Sequence, residues 1–235
     1  MPLVAYPDAA LTIWQGKDAL QFIDGLSTNK MVDMMKGQLV QTVFTSSQAK
    51  IIDFVTVFHM GEVLAVQCHQ SKLQNLLNHV LPRILGQDVT ITDVTERNQF
   101  AVEYKVKNEH VGTFISVNNV TYGRTESNLN IVIASKENTL QHSGTIAEFD
   151  AWRIENLVPW NNHEITIKNH PLAAGLSKFV HPAKGCYIGQ EILARMVSRG
   201  RQGKNLVRCK NSEVDDKLIT TRGEIYSLGI VRAIQ

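Results

Sequence analysis

The chain has 235 residues, a length that favours two compact units at about 100–150 residues per domain and excludes a small disulfide-held scaffold. Its composition, 43% hydrophobic and 20% charged with a formal charge of +2, is that of a globular protein and excludes a largely disordered chain. No run approaches the roughly 18 apolar residues of a membrane span, and the first residues lack the basic start and apolar stretch of a secretory signal. We therefore expect a cytoplasmic protein with no membrane partner.

The cysteine and histidine patterns limit the chemistry of the chain. Its three cysteines are far apart and never form a C-x-x-C pair: Cys68, Cys186 and Cys209. An odd number at such spacings predicts neither a disulfide framework nor an autonomous zinc or iron–sulfur site. His163, His170 and His181 are spaced too irregularly to share one helical face, so we predict no metal site.

The first third of the chain predicts a strand, a helix and then a sheet. The apolar run 11–14 predicts a strand, and the helical spacing of apolar residues in 17–28 predicts a helix. Runs of β-branched and aromatic residues at 39–45 and 51–58 predict a hairpin, and 63–68 predicts a third strand. These strands indicate an antiparallel sheet.

The middle of the chain continues this alternation of strands and helices. Apolar residues recur at helical spacing after Ser71, which predicts a helix capped by Ser71 and ended at Gly86. Further strands are predicted at four runs between turn residues: 89–94, 100–106, 111–117 and 129–133. Thr145 and Glu148 have the spacing of a capping box, which predicts the start of another helix. Runs of strands broken by single helices indicate an α+β fold.

Residues 156–206 contain prolines and glycines among aromatic and basic residues, and predict a structured loop followed by one helix. Cys186 precedes the start of that helix. The free amides and positive dipole end of a helix favour a thiolate over a thiol, and Lys184 adds a cation two residues away. Cys186 is therefore a candidate reactive group, assisted by Lys184. The alternative is that Cys186 is a small buried apolar side chain.

The eight residues Lys-Gly-Cys-Tyr-Ile-Gly-Gln-Glu at 184–191 resemble the K-G-C-Y-x-G-Q-E signature of the YgfZ family. These proteins are folate-binding relatives of the glycine-cleavage T-protein and support iron–sulfur enzymes. Two more segments occur in the family's order. Residues 16–29 resemble its first-helix G-x-D-A-x-x-F…T-N pattern, and 152–155 resemble its R-I-E element. The resemblance covers roughly residues 10–210.

The resemblance implies two interleaved antiparallel-sheet lobes with packed helices, followed by a shortened β segment. It places the folate-binding region of both lobes at 1–200 and the truncated C-terminal β segment at 201–235. It also implies tetrahydrofolate or a derivative as the cofactor. A folate needs an apolar or aromatic slot for its pterin ring, a polar group for its donor edge and a cation for its glutamate tail.

By this resemblance, Asp53 and Glu126 are the carboxylate candidates for binding folate, and Arg153 is the cation. The cysteine motif supplies further candidates for contact with the cofactor: Tyr187, Gly189 and Gln190. Structural alternatives stay open for each charged residue. Asp53 has the alternative of a structural hydrogen bond, Glu126 that of an exposed turn carboxylate and Arg153 that of a structural ion pair.

One departure from the T-protein pattern bears on activity. T-proteins transfer an aminomethyl group from a lipoyl-linked carrier to tetrahydrofolate, and an aspartate from an adjacent acid pair assists. This chain has Asp53 followed by Phe54, so only one acid of the pair remains. The departure disfavours that reaction here.

The resemblance thus implies a folate-binding accessory factor in iron–sulfur cluster assembly or maintenance that acts through Cys186. The implied partners are iron–sulfur enzymes or assembly proteins, including tRNA-modifying enzymes. The alternatives are a tetrahydrofolate-dependent aminomethyltransferase and a folate-binding module without chemistry. The densest basic stretch is a candidate site for phosphate or polyglutamate, with a solvated face of the last helix and its exit loop as the alternative: Arg195, Arg199, Arg201, Lys204, Arg208 and Lys210. We expect no direct nucleic-acid binding, because the chain is almost neutral overall.

Overall fold

Two five-stranded antiparallel sheets and one three-stranded sheet organise the computed structural model, which describes residues 1–107, 109–126, 128–200 and 202–232. The strands are β1 (Leu3–Ala5), β2 (Ala9–Gln15), β3 (Leu39–Thr45), β4 (Ile51–His59), β5 (Val63–His69), β6 (Thr90–Asp93), β7 (Asn98–Tyr104), β8 (Thr113–Val117), β9 (Val120–Arg124), β10 (Leu129–Ser135), β11 (Lys204–Lys210), β12 (Ile219–Thr221) and β13 (Tyr226–Arg232). The α-helices are α1 (Ala19–Leu26), α2 (Gln70–Val80), α3 (Ile146–Asn156) and α4 (Gln190–Ser198). Within the described ranges, no helix is long and apolar enough to span a membrane.

The first sheet has the strand order β3-β4-β5-β2-β6. β3 and β4 form the predicted hairpin, with Val43 opposite Phe54. One set of apolar side chains packs with α1 and α2 into a core where Trp14, Phe44 and Ile23 have no exposed surface. Alternate residues of a strand point to opposite faces, so the apolar positions of β2 and β3 can bury against the helices. The predicted sheet and both predicted helices are confirmed.

The second sheet has the order β1-β7-β10-β9-β8 and is interleaved with the first. β1 pairs with β7, with Val4 opposite Val102, although the next strand along the chain, β2, belongs to the first sheet. β6 and β7 are likewise consecutive in the chain and lie in different sheets. The chain therefore passes repeatedly between two antiparallel sheets, and the predicted α+β fold of two interleaved lobes is confirmed.

The predicted C-terminal β segment forms the third sheet, in the order β11-β13-β12. β11 pairs with β13 along its length, with Leu206 opposite Ile230. The sheet contacts α3 through Thr221, whose hydroxyl accepts a hydrogen bond from the Arg153 guanidinium at 3.1 Å. The predicted division of the chain at residue 200 stays a prediction. Arg201 of the basic stretch and residues 233–235 lie outside the described residues.

The boundaries of α2 differ from the sequence prediction. The residue at its N-cap is His69, and Ser71 lies inside the first turn. The Asp8 carboxylate accepts hydrogen bonds from the Ser71 N–H at 3.1 Å and from its hydroxyl at 3.0 Å, so the cap comes from a distant residue. The helix ends at Val80, before the glycine predicted to end it, because Pro82 has no N–H to continue the helical ladder.

β9 is a strand that the sequence analysis did not identify. It forms a hairpin with β8 through Asn118 and Asn119, which have φ angles of 51° and 61°. Asparagine tolerates this left-handed backbone, so the predicted turn at these residues is confirmed. β9 gave no clear strand signal because Gly123 interrupts its alternation of apolar and polar residues, and because its partner β8 is largely exposed.

The start of α3 agrees with the predicted capping box. The Thr145 hydroxyl accepts a hydrogen bond from the Glu148 N–H at 3.2 Å, and the Glu148 carboxylate accepts one from the Thr145 N–H at 2.9 Å. These two bonds satisfy amides that the first turn of a helix leaves free. They fix where α3 begins, and α3 carries Arg153 into the interior.

Candidate functional site

A cavity of about 210 Å³ lies where the two five-stranded sheets meet. β3, β4 and β5 of the first sheet contribute one part of its wall, and β10 of the second sheet contributes another. The rest of the wall comes from Tyr6, from Thr125, Glu126 and Asn128, from 156–161 with Ile165, and from four residues near the end of the loop: Gly175, Leu176, Lys178 and Phe179. The cavity is therefore built by residues that are distant in sequence and are brought together by the interleaved sheets.

Two aromatic pairs line the cavity. The rings of Tyr6 and Trp160 have centroids 4.7 Å apart, and those of Phe54 and Phe179 have centroids 4.8 Å apart. Aromatic rings at these distances present flat apolar surface that favours a planar ligand. The cavity thus contains the aromatic surface that a pterin ring requires.

A row of polar side chains crosses the first sheet and also lines the cavity. Gln41 lies opposite Thr56, and Thr56 lies opposite Gln67, so the three residues occupy neighbouring positions on β3, β4 and β5. The Gln41 amide donates to the Thr56 hydroxyl at 3.3 Å. The Gln67 amide donates to the Cys68 carbonyl at 2.7 Å. The amide oxygens and the hydroxyl are groups that can orient a polar ring edge.

Glu126 is the predicted carboxylate that the structure places in the cavity wall. It is the only carboxylate among the described lining residues, and its Oε2 lies 3.4 Å from the Nζ atom of Lys178. The two side chains are 54% and 42% exposed, so this ion pair faces solvent at one edge of the cavity. Glu126 is therefore both a residue of the cavity wall and the exposed turn carboxylate that the sequence allowed as an alternative.

Asp53 is fully buried and is not a lining residue of the cavity. Its carboxylate accepts hydrogen bonds from the backbone N–H groups of Phe54 and His69, at 2.8 and 3.0 Å. It also lies 2.6 Å from the Nδ1 atom of His69, whose ring does line the cavity. The structure thus gives Asp53 the structural hydrogen bonds that the sequence left as an alternative, and connects it to the cavity through His69.

Arg153 is also fully buried and does not line the cavity. Its guanidinium pairs with Glu164 at 3.1 Å and with Asp150 at 2.6 Å. The remaining donors reach the Val158 carbonyl and the Thr221 hydroxyl, both at 3.1 Å. The five N–H donors of the guanidinium thus all face partners in the chain, which is the structural ion pair left open by the sequence analysis. The cation nearest to Glu126 in the cavity wall is instead Lys178.

Cys186 is exposed and lies four residues before the first residue of α4, whose N-cap is Gly189. Lys184, two residues earlier, is buried, and its Nζ atom lies 2.8 Å from the Asp24 carboxylate. It also donates to the Asn29 carbonyl. Burial lowers the pKa of Lys184 from its usual value, and Asp24 opposes this shift. The ammonium of Lys184 thus anchors the loop to residues near the end of α1.

The rest of the cysteine motif packs against the hairpin between β3 and β4. Gly189 has φ of 88°, and a Cβ atom there would lie 2.7 Å from the Ser46 carbonyl oxygen, so glycine is required. Tyr187 packs on the cluster around Ala49, and its burial raises its pKa to about 12. Gln190 donates to the Lys184 carbonyl at 3.1 Å. These three predicted cofactor contacts lie outside the cavity wall, where they shape the cysteine loop.

Several lining residues carried no functional signal in the sequence. Gln41 lies in a predicted strand and Trp160 in the predicted loop, whereas Tyr6 and His69 fall outside every predicted element. Asn161 is a further example, because its Oδ1 atom is buried and has no hydrogen-bond partner among the described residues. The Asn161 amide nitrogen is held by Asp8 and Ser71, which fixes the oxygen as the remaining acceptor.

Comparisons with known proteins define the fold. No protein-family model matches the sequence, and no curated protein matches it. Among solved structures, the chain is similar to the glycine cleavage system aminomethyltransferase T from Bartonella henselae, with a TM-score of 0.79 and 13% sequence identity. The similarity covers 98% of this chain and 78% of the other. The chain therefore has the fold of the glycine-cleavage T-protein, as the resemblance implied, and the more specific YgfZ assignment stays a prediction.

Proposed function

We propose that this protein binds the pterin ring of a reduced folate in the cavity between its two sheets. The observation that carries the proposal is the cavity itself, with its aromatic pairs and polar row, in a fold shared with an aminomethyltransferase. Asn161 also lines the cavity, and its amide nitrogen is held by Asp8 and Ser71.

The size of the cavity favours partial enclosure of the ligand. A volume of about 210 Å³ is below the roughly 300–1,000 Å³ of pockets that enclose a drug-sized molecule. The cavity therefore takes a ring system, and the glutamate tail lies outside it. Glu126 and Lys178 are at the exposed edge, where the Lys178 ammonium can pair with a carboxylate of the glutamate tail.

Calorimetry with tetrahydrofolate tests the binding site directly. We expect measurable heat at millimolar ligand, because even a free energy of about −4 kcal/mol corresponds to millimolar affinity. Thr56→Phe should weaken binding at least tenfold, because Thr56 lies in the middle of the polar row with 2% exposure and a phenyl ring would occupy the cavity. Thr90→Phe makes the same change at an exposed position and should leave binding unchanged.

Thermal unfolding checks that each variant is folded before binding is compared. Tetrahydrofolate should also raise the melting temperature of the unmodified protein, because a ligand that binds only the native state stabilises it. Absence of both heat and stabilisation at millimolar tetrahydrofolate would remove the folate proposal.

For the biological role, we propose an accessory factor in iron–sulfur cluster assembly or maintenance that acts in the cytoplasm through Cys186. Its partners would be iron–sulfur enzymes or assembly proteins, tRNA-modifying enzymes among them. The support is the eight-residue motif at 184–191 together with the exposed thiol on an anchored loop. The thiol is reachable by a protein partner, whereas a ligand enclosed in the cavity faces other residues.

The alternative function is aminomethyl transfer to tetrahydrofolate, which the fold similarity favours. We expect no transfer, because Phe54 stands where the T-protein pattern has a second acid and its ring packs on Phe179 in the cavity. The assay measures methylenetetrahydrofolate formed from an aminomethylated lipoyl carrier. A sustained rate above the protein-free background would rank the transferase first.

A further inference from the structure

Three buried side chains form a hydrogen-bonded chain that ends at the cavity. Asp53 Oδ1 lies 2.6 Å from Nδ1 of His69, and Nε2 of the same ring is hydrogen-bonded to the Tyr6 hydroxyl. Tyr6 and His69 both line the cavity, and Asp53 lies behind them. The three residues come from β4, the end of β5 and the connection between β1 and β2.

For a neutral His69 ring, the hydrogen-bond partners assign the hydrogens of this chain. The Asp53 carboxylate can only accept, so Nδ1 of His69 carries the hydrogen that joins them. In the neutral imidazole, Nε2 is then an acceptor, and the Tyr6 hydroxyl donates to it. A hydroxyl whose hydrogen is committed in this way offers only its lone pairs to a ligand. Tyr6 is therefore held as a hydrogen-bond acceptor.

Charged groups around the chain support this arrangement. Lys72 on α2 is buried, with its Nζ atom 4.0 Å from Asp53 Oδ1 and 2.8 Å from the Ile165 carbonyl. Burial raises the pKa of Tyr6 well above its usual value, with further increases from Asp53, Asp8 and Cys68 and an opposing effect of Arg153. The phenol therefore stays protonated and keeps its hydrogen for His69.

We infer that Tyr6, oriented by His69 and Asp53, makes the cavity selective for reduced over oxidised pterins. A tetrahydropterin carries N–H donors at ring positions 5 and 8, whereas the oxidised ring has bare nitrogens that accept hydrogen bonds. The Tyr6 oxygen, fixed as an acceptor, pairs with an N–H of the tetrahydropterin and repels the bare ring nitrogens of the oxidised pterin. Such a mismatched buried polar contact costs roughly 1–3 kcal/mol. This inference rests on the proposed folate site for the identity of the ligand.

The hydrogen-bond polarity is tested without any ligand by nitrogen NMR of protein labelled at histidine. The His69 resonances, assigned by their loss in His69→Gln, should have a protonated Nδ1 and an unprotonated Nε2 at neutral pH. Tyr6→Phe should shift the Nε2 signal and leave Nδ1 protonated, because the bond to Asp53 remains. A protonated Nε2, with Nδ1 either bare or protonated, would overturn the inference whatever the cavity binds.

The selectivity is tested by calorimetry with tetrahydrofolate and folic acid. The unmodified protein should bind tetrahydrofolate at least tenfold more tightly, and Tyr6→Phe should reduce this ratio to about threefold or less. Tyr226→Phe, which removes a hydroxyl outside the cavity, should keep the ratio.

The outcomes separate the two proposals. Equal affinity for both folates in the unmodified protein would overturn the role of Tyr6 and leave the folate site standing. A tenfold preference that survives in Tyr6→Phe would also overturn it. Absence of binding by either folate removes the proposed function, and the NMR result then decides whether Tyr6 is held as an acceptor.

Discussion

Arg153→Ala is expected to lower the free energy of unfolding by about 3–5 kcal/mol, the usual cost of removing one partner of a buried ion pair. Arg153 and Glu164 have no exposed side-chain surface, and their charged groups are 3.1 Å apart. The alanine variant would leave the Glu164 carboxylate buried without a cation. It would also remove the hydrogen bond that links α3 to Thr221 in the third sheet. Urea unfolding followed by circular dichroism measures the change.

Arg195→Ala is the matched control, because it removes the same side chain from an exposed pair. Arg195 and Glu191 lie on the surface of α4, with 63% and 77% of their side chains exposed. Exposed pairs contribute little, so the urea midpoint should stay close to that of the unmodified protein. Equal effects of the two substitutions would contradict the structural role that the geometry gives Arg153.

Cys186 should be alkylated first among the three cysteines, and Cys186→Ala should abolish support of iron–sulfur enzymes. Cys186 is exposed, Cys209 is partly buried and Cys68 has no exposed surface. Burial raises the pKa of both Cys68 and Cys209, which disfavours their reactive thiolates. Peptide mapping after brief treatment with iodoacetamide gives the order of labelling.

The cellular test uses cells that lack the native protein, with the activity of an iron–sulfur enzyme as the measurement. Cys186→Ala should fail to restore activity, while its fold and its affinity for tetrahydrofolate remain nearly unchanged, because the residue lies outside the cavity wall. Cys209→Ala is the control and should restore activity. Full restoration by Cys186→Ala would favour a folate-binding module without thiol chemistry.

The strands and helices were largely predictable because their signals are local. Apolar periodicity located β3, β4 and β5, and the capping box located α3. The start of α2 was not predictable from its own residues, because Asp8, far away in sequence, supplies the cap. Interleaving of the two sheets followed from the family resemblance, since no local pattern specifies which distant strands pair.

The site was less predictable, because its chemistry depends on distances across the fold. Glu126 was identified and lines the cavity, whereas Asp53 reaches the cavity through His69, a residue with no distinctive local context. The motif at 184–191 predicted a cation beside Cys186, but a spacing of two residues does not reveal that Lys184 is paired with Asp24. Sequence proximity therefore identified the loop and not the partner of its charged residue.

The passage of the chain between the two sheets also sets the order in which the cavity can be completed. Leu3 pairs with Glu103, and the wall that begins at Tyr6 is closed only by residues as late as Phe179. Contacts between such distant residues require closure of long chain segments, which is slow. During synthesis, the first strands therefore leave the ribosome long before the residues that complete their binding site. A ligand that recognises the finished cavity has nothing to bind on the emerging chain. It can therefore stabilise the folded protein but cannot assist the early steps of folding.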